Sequence, residues 1–322
     1  MISSIEIKNF RGIQDGKLEN LTPLTILVGP NGSGKSTILD GLMIGANSDP
    51  SEALSQILGR RKEGNSSSKW IFRNGLSKDI SELTTFSSDW QKVYLVPPSR
   101  IKSFLKPDSD HIIKTRIVDF DPSGRFSLRT SSLTYLDSNI FRIDPMRIED
   151  STPLHTLLTE AIHQGQREAV REILQSLVPG LKEITILTEG NSPYVALEYS
   201  DRAIPASLSG SGIHQLLRES LELASRADGI ALMEEPEVNK HPAAITQTAK
   251  VIFAAVRRGV QVIITTHSLE LIDALIREAK DEAGLSLLSV FGLKLDGGCL
   301  KSYHLIGDEV KMSRTQMEMD LR

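Results

Sequence analysis

Cysteine is nearly absent. The 322-residue chain has one, Cys299, which excludes an intramolecular disulfide framework and any multi-cysteine zinc or iron–sulfur site. No apolar run approaches the ~20 residues of a membrane span. The opening residues, MISSIEIKNF, lack a basic region followed by an apolar stretch, so no secretory leader is expected. Neither charge dominates: 37 Lys and Arg stand against 41 Asp and Glu, a net −4. Apolar residues at 39% and charged residues at 24% are ordinary for a soluble globular protein. The expectation is a cytoplasmic chain, with no membrane partner, long enough for one large or two modest domains.

What is present is unevenly placed. Residues 56–106 hold ten Lys and Arg against four acids, and both tryptophans, Trp70 and Trp90. A basic segment on an acidic body points to an anionic partner, and equally to an insertion that carries charge for solubility. Residues 2–10 and 24–28 read as strands, and Ile38, Leu39, Leu42 and Met43 give a helical period. Residues 47–78 read as a surface insertion and Val93–Val96 as a short strand stopped by Pro97-Pro98. Short strands are expected near 112–120 and 125–128.

A helix is expected from Thr152, with Thr152 as N-cap and Pro153 at the first helical position, divided at Gly165 and ended by Pro179-Gly180. Ile184–Leu187 and Tyr194–Tyr199 predict a hairpin. From Ile213 helices alternate with apolar strands at 229–233 and 260–265, the sign of a largely parallel sheet. A helix over 269–282 and a strand pair around Asp296-Gly297-Gly298 follow.

The chemistry-bearing motifs begin with Gly29-Pro30-Asn31-Gly32-Ser33-Gly34-Lys35-Ser36-Thr37, a P-loop between a strand and a helix. Its glycines let backbone N–H groups turn inward around phosphates, and the helix N-terminus adds positive potential. Lys35 would reach the β- and γ-phosphates and the Ser36 hydroxyl would ligate Mg²⁺. The strand 229–233 ends in Glu234-Glu235-Pro236-Glu237. Apolar strands ending in acids place a magnesium carboxylate and a water-activating base in P-loop ATPases, here Glu234 and Glu235. Small residues from Ser207 to Gly212 lead into a helix and form a second anion-binding candidate. The strand from Val260 ends at His267.

These four motifs, in this order, resemble the ABC-type ATPase head of the SMC/RecF group. The resemblance is closer to the ATPase domain of overcoming-lysogenization-defect (OLD) nucleases and related prokaryotic AAA proteins. It includes the start, Ile5-Glu6-Ile7-Lys8-Asn9-Phe10-Arg11-Gly12, and the Glu235-Pro236-Glu237 run continued by His241-Pro242. The spacings, 23 residues from Ser211 to Glu234 and 33 from Glu234 to His267, agree with the ABC pattern and favour Ser211-Gly212 as the signature pair. The implied fold is an α/β ABC-type P-loop ATPase head. It has a mixed, partly parallel sheet flanked by helices, an N-terminal antiparallel portion and a helical signature lobe. The implied division is one head, with a P-loop lobe at 1–46, an insertion at 47–150, a helical arm at 151–180 and a signature, Walker B and switch lobe at 181–322.

The resemblance implies a dimer of heads that sandwiches two ATP molecules. Carried over, Arg11 joins the nucleotide-binding set, Ser211 and Gly212 act in trans, Glu237 and Asn239 lie near the dimer interface, and His267 senses the γ-phosphate. The chain departs from the pattern in having Glu234 where an Asp is usual, in its Gly-Ser-Gly signature, and in offering only Gln91 as a Q-loop glutamine. Fifty-five residues follow His267, too few for the TOPRIM domain of an OLD nuclease, and no heptads suggest an SMC arm. The expectation is a slowly hydrolysing homodimeric ATPase with ATP and Mg²⁺, switching a separate effector such as a nuclease or toxin, in the manner of an antiphage module. The alternative is a RecF-like ATP-dependent DNA-binding protein, with the basic segment on phosphates. An ABC transporter subunit fits the start and the signature less well.

Overall fold

The computed structural model describes residues 1–59, 80–86, 90–96, 100–106, 114–120, 126–130, 139–144 and 152–322. In chain order these form β1 (Ser4–Phe10), β2 (Ile13–Glu19), β3 (Leu24–Val28), α1 (Lys35–Gly45), α2 (Pro50–Gly59), β4 (Ser81–Phe86), β5 (Trp90–Val96), β6 (Arg100–Lys106), β7 (Lys114–Phe120), β8 (Phe126–Thr130) and β9 (Ile140–Ile143). There follow α3 (Leu154–His163), α4 (Arg167–Gln175), β10 (Glu183–Glu189), β11 (Ser192–Glu198), β12 (Ala203–Pro205), α5 (Ser211–Ala224), β13 (Ile230–Glu234), α6 (Pro242–Arg257) and β14 (Gln261–Thr265). The chain closes with α7 (Leu269–Ala279), α8 (Glu282–Ser286), β15 (Leu288–Asp296), β16 (Cys299–Ile306) and α9 (Gly307–Thr315). Arg60, Arg61, Lys62 and Trp70, on which much of the basic-segment expectation rests, lie outside the described residues, as does the side chain of Gln91.

Two compact units divide the chain. Met1–Arg142, Ser289–Leu305 and Leu321–Arg322 form the first, and Ile143–Leu288 with Ile306–Asp320 the second. The first is built on a mixed sheet in the order β8-β7-β6-β5-β4-β1-β2-β16-β15-β3. Alternation drives β1: Ile5 and Ile7 are buried with Glu6 between them and Lys8 after them, and Phe10 is fully buried. Left-handed backbone at Asn9 and Arg11 turns β1 onto β2, pairing Phe10 with Ile13. All five residues of β3 are buried, which explains why Thr25 is its only polar residue. Glycines let α1 lie against this sheet, since a Cβ on Gly45 would fall 2.9 Å from Thr85 Cγ2.

The second unit has its own core, in which α3, α4 and α5 pack on β10 and β11 through Leu157, Leu158, Leu174, Val195, Leu217 and Leu221. Each such leucine contributes about 1.5–3 kcal/mol when fully buried. The expected helical arm is divided at Gly165, whose φ of 68° breaks the helix. Its start differs from expectation. Pro153 is the N-cap, with extended backbone, and α3 begins one residue later. Both terminal nitrogens of Arg218 donate to the Thr152 carbonyl at 3.1 Å, which anchors the residue outside the helix. The arm also stops at Gln175, short of Pro179.

The hairpin is present with Ile186 opposite Val195. β13 and β14 pair in parallel with Glu234 level with Thr265. The helix expected over 269–282 ends at Ala279, because Lys280 turns left-handed and the Asp281 carboxylate caps a new helix by accepting from the Gly284 N–H at 2.7 Å.

Candidate functional site

In the first unit the P-loop joins buried β3 to α1. Gly29 has φ 142°, and a Cβ there would sit 2.4 Å from the Leu293 carbonyl oxygen, so only glycine fits. Gly34, at φ 98°, is the left-handed N-cap of α1 and makes no side-chain cap. The first amides of α1 are therefore offered to no capping oxygen of their own. Pro30, Asn31 and Gly32 are exposed, Ser36 and Thr37 half-buried on the first turn. Lys35 folds back, donating from Nζ to the carbonyls of Gly29 at 2.8 Å and Pro30 at 3.1 Å. Ser33 Oγ is buried with no partner among the described residues. A buried hydroxyl in this state fits an anionic acceptor in the loop.

Arg11 lies in the β1–β2 turn, its guanidinium ion-paired with Asp40 of α1. Arg142 pairs with the other oxygen of the same carboxylate. Asp40 is 1% exposed and stands one helical turn beyond Ser36. The sequence reading missed Asp40 and Arg142. The available signal was a carboxylate among Ile38, Leu39, Leu42 and Met43.

In the second unit Glu234 ends β13 and Glu235 follows at φ 45°, a left-handed conformation that costs a non-glycine residue about 1–2 kcal/mol. The Glu235 N–H donates to the Thr265 carbonyl at 2.9 Å, which fixes the bend. His267 Nε2 stands 3.6 Å from Glu235 Oε1, beyond hydrogen-bond length, and both side chains are about a third exposed, at 35% and 40%. Glu237 Oε1 accepts from Thr266 Oγ1 at 2.6 Å and from the His267 N–H at 3.0 Å. One carboxylate thus sets the turn that carries the histidine. Asn239 is also left-handed, at φ 60°.

Ser211 and Gly212 open α5, whose N-cap is Gly210. Ser211 is exposed, and Gly212 packs toward the Asn239 carbonyl, where an added Cβ would lie at 3.5 Å. Farther along α5, Glu219 pairs with Lys240, both side chains essentially without solvent exposure. Burial pushes the Glu219 carboxyl up, against the pull of Lys240, and pushes the Lys240 ammonium down, against the pull of Glu219. Burial, then the nearby Arg218, lowers His214 from its ordinary value. Glu219 and Lys240 were not singled out from the sequence. Charged residues in helices and loops read as solvated.

Among the described residues no three His, Cys, Asp or Glu side chains gather as a metal cage. Magnesium needs only one or two protein oxygens beside phosphates and water, and the Ser36 hydroxyl and Glu234 carboxylate are oxygen donors of that kind. No helix among the described residues is long and apolar enough to cross a membrane.

The chain is similar to several known proteins. A family described as "AAA domain, putative AbiEii toxin, Type IV TA system" matches residues 24–273. An ATP/GTP phosphatase of Helicobacter pylori is 25% identical over 92% of this chain and 93% of its own. An Smc head solved with the C-winged helix domain of ScpA superposes with a TM-score of 0.62 at 15% identity, covering 95% of this chain and 98% of that one. A Pyrococcus furiosus Smc head with an extended coiled coil, bound to the C-terminal domain of ScpA, gives 0.58 at 14% identity over 99% of both chains.

Proposed function

This chain belongs to that AAA-domain family and is an ATPase with the fold of an ABC-type head, and from that premise we propose that it is a slow, ATP-dependent dimerising switch for a separate effector. The observation that carries the reading is the pair of preformed half-sites. One is a P-loop with Lys35 on two of its own carbonyls and a buried Ser33 hydroxyl, and the other is a helix opening at Ser211 and Gly212, with Gly212 toward the Asn239 carbonyl of the loop that follows Glu235. In this reading Gly29 to Thr37 wrap the phosphates of ATP, Lys35 exchanges its carbonyl partners for phosphate oxygens, and Arg11 leaves or shares Asp40 to reach them. Ser36 and Glu234 would each serve as an oxygen ligand of Mg²⁺, which would supply charge neutralisation at the phosphates. Glu235 positions and deprotonates the attacking water, and His267 reads the γ-phosphate.

An isolated P-loop leaves the γ-phosphate exposed, and the α5 N-terminus of a second copy would close that anion cage through Ser211 and Gly212. ATP then holds two copies together and hydrolysis releases them. The named activity of the Helicobacter pylori relative supports nucleotide hydrolysis, and the toxin–antitoxin description of the family supports an effector or toxin as the output. An antiphage role and a cytoplasmic location go with that reading. A DNA-binding role, with residues 56–106 on phosphates, is the second reading, favoured by the local excess of six positive charges.

The test is Glu235→Gln. Removing the base should lower ATP turnover by about 10²-fold or more, leave ATP binding in place, and trap an ATP-dependent dimer visible by light scattering. A variant that stays monomeric at saturating ATP, with wild-type turnover, would overturn the reading. Salt-sensitive DNA binding that requires ATP would favour the second reading.

A further inference from the structure

The loop from Glu235 to Lys240 is tied at both ends. At one end Glu237 holds the Thr266–His267 turn. At the other, Lys240 reaches into the unit, pairing with Glu219 of α5 and donating to Thr248 Oγ1 of α6 at 2.8 Å. Between the ties the backbone is confined by left-handed residues at Glu235 and Asn239 and by turn bonds, Val238 N–H to the Glu235 carbonyl at 3.0 Å and Lys240 N–H to the Glu237 carbonyl at 3.2 Å. Glu219 lies two turns along the helix that Ser211 and Gly212 open, and Gly212 itself approaches the Asn239 carbonyl.

Stability alone does not account for the pair. Two charges with exposures of 0% and 2% carry a desolvation cost that apolar residues of the same volume would avoid. The surroundings are polar as well: a side-chain hydrogen bond from Gln215, one turn back on α5, also pulls the Glu219 carboxyl down, and Glu237 Oε2 is buried with no hydrogen-bond partner among the described residues. What a directional pair provides, and an apolar contact does not, is a fixed register between two elements.

We propose that Glu219 and Lys240 are positioning residues that hold the N-terminus of α5, with Ser211 and Gly212, in register with the loop that follows Glu235. The pair makes the base–histidine turn and the signature residues one mechanical piece, so a displacement at Glu237 is delivered to Ser211. The consequence for turnover rests on the proposed ATP switch. The register itself does not.

Either single charge removal strands its partner, so the decisive variant is Glu219→Met with Lys240→Met, which fills the space without charge. Amide hydrogen exchange is read without nucleotide. In residues 211–218 it should quicken by about fivefold or more, while β13 and β14 stay within about twofold of wild type and Tm does not fall. ATP turnover should then lose about tenfold in kcat with KM within about twofold, the signature of an interaction used after binding. Wild-type exchange together with wild-type kcat would overturn the proposal, as would exchange that rises evenly across the unit. If this variant does not fold, Glu219→Gln with Lys240→Gln, which also removes both charges, is read by the same criteria. Should wild type form no ATP-dependent dimer, the switch reading falls by itself, and the exchange result still decides the register.

Discussion

The two units reach their candidate sites by different means. The P-loop of the first is specified by backbone: Gly29 sits where no Cβ fits, Gly34 caps α1 from the left-handed region, and even Lys35 is held by main-chain carbonyls. The corresponding part of the second is specified by side chains. Glu237 builds the Thr266–His267 turn, and the Lys240 ammonium pins a loop to a helix by its charge. A backbone-built site announces itself in sequence, because only glycine tolerates those conformations. A side-chain-built site is written in residues that are common elsewhere. Two individual helix starts show the same difference, though α5 of the second unit also starts without a side-chain cap: α1 carries none, while α7 is capped by Ser268, whose Oγ accepts from the Leu271 N–H at 3.1 Å.

The strongest challenge to this contrast is Asp40, a buried side chain in the backbone-built half. Asp40→Ala withdraws one carboxylate from two nearly buried guanidinium groups and should cost about 3–5 kcal/mol of stability, measured by urea unfolding. A loss below about 1 kcal/mol would show that the P-loop unit stands on its backbone and apolar core alone. Next in size is Lys35→Ala. It removes the proposed charged donor to phosphate and should weaken ATP binding by about a hundredfold, or about 2.8 kcal/mol, in calorimetry. Unchanged binding would mean that the loop amides suffice, and would remove the lysine from the proposed site.

How much of this was legible follows the same line. The glycine-rich loop, the acid-ended strand β13, β14 and the hairpin were readable because each has a short local rule: glycine conformations, apolar runs and period-two alternation. β2 was not, since Ile13-Gln14-Asp15-Gly16-Lys17-Leu18-Glu19 buries only Ile13, Gly16 and Leu18 and exposes charge between them. The stop of α7 depends on left-handed Lys280, a residue ordinarily at home in helices. Partners such as Arg11 with Asp40, or Glu219 with Lys240, are 29 and 21 residues apart. No periodicity links them, and only the folded chain supplies the burial that makes them matter.

Two smaller effects sharpen the contrast from the second unit. Ser268→Ala leaves the Leu271 amide without its cap and should cost about 1 kcal/mol in thermal or urea unfolding. No equivalent loss is available at α1, where no side chain caps the helix. A change of less than about 0.3 kcal/mol would place α7 with α1 as a helix whose start is held by its backbone.

The smallest effect is the pH dependence carried by His214, on the first turn of α5. Burial, with the Arg218 charge second, lowers its pKa in the folded protein below the ordinary 6.5. The unfolded chain therefore binds the proton more readily, so folded stability is intact above pH 6.5 and declines as pH falls through the window below it. Acidic groups elsewhere contribute their own slope, but they are shared by a variant that lacks only the imidazole. Urea midpoints of wild type and His214→Gln at pH 7.5, 6.5 and 5.5 isolate the difference. The variant should lose less stability between pH 6.5 and 5.5, with equal slopes above. Parallel curves throughout would show that His214 is solvated like a surface residue, and that the buried-charge character of α5 ends before its first turn is reached.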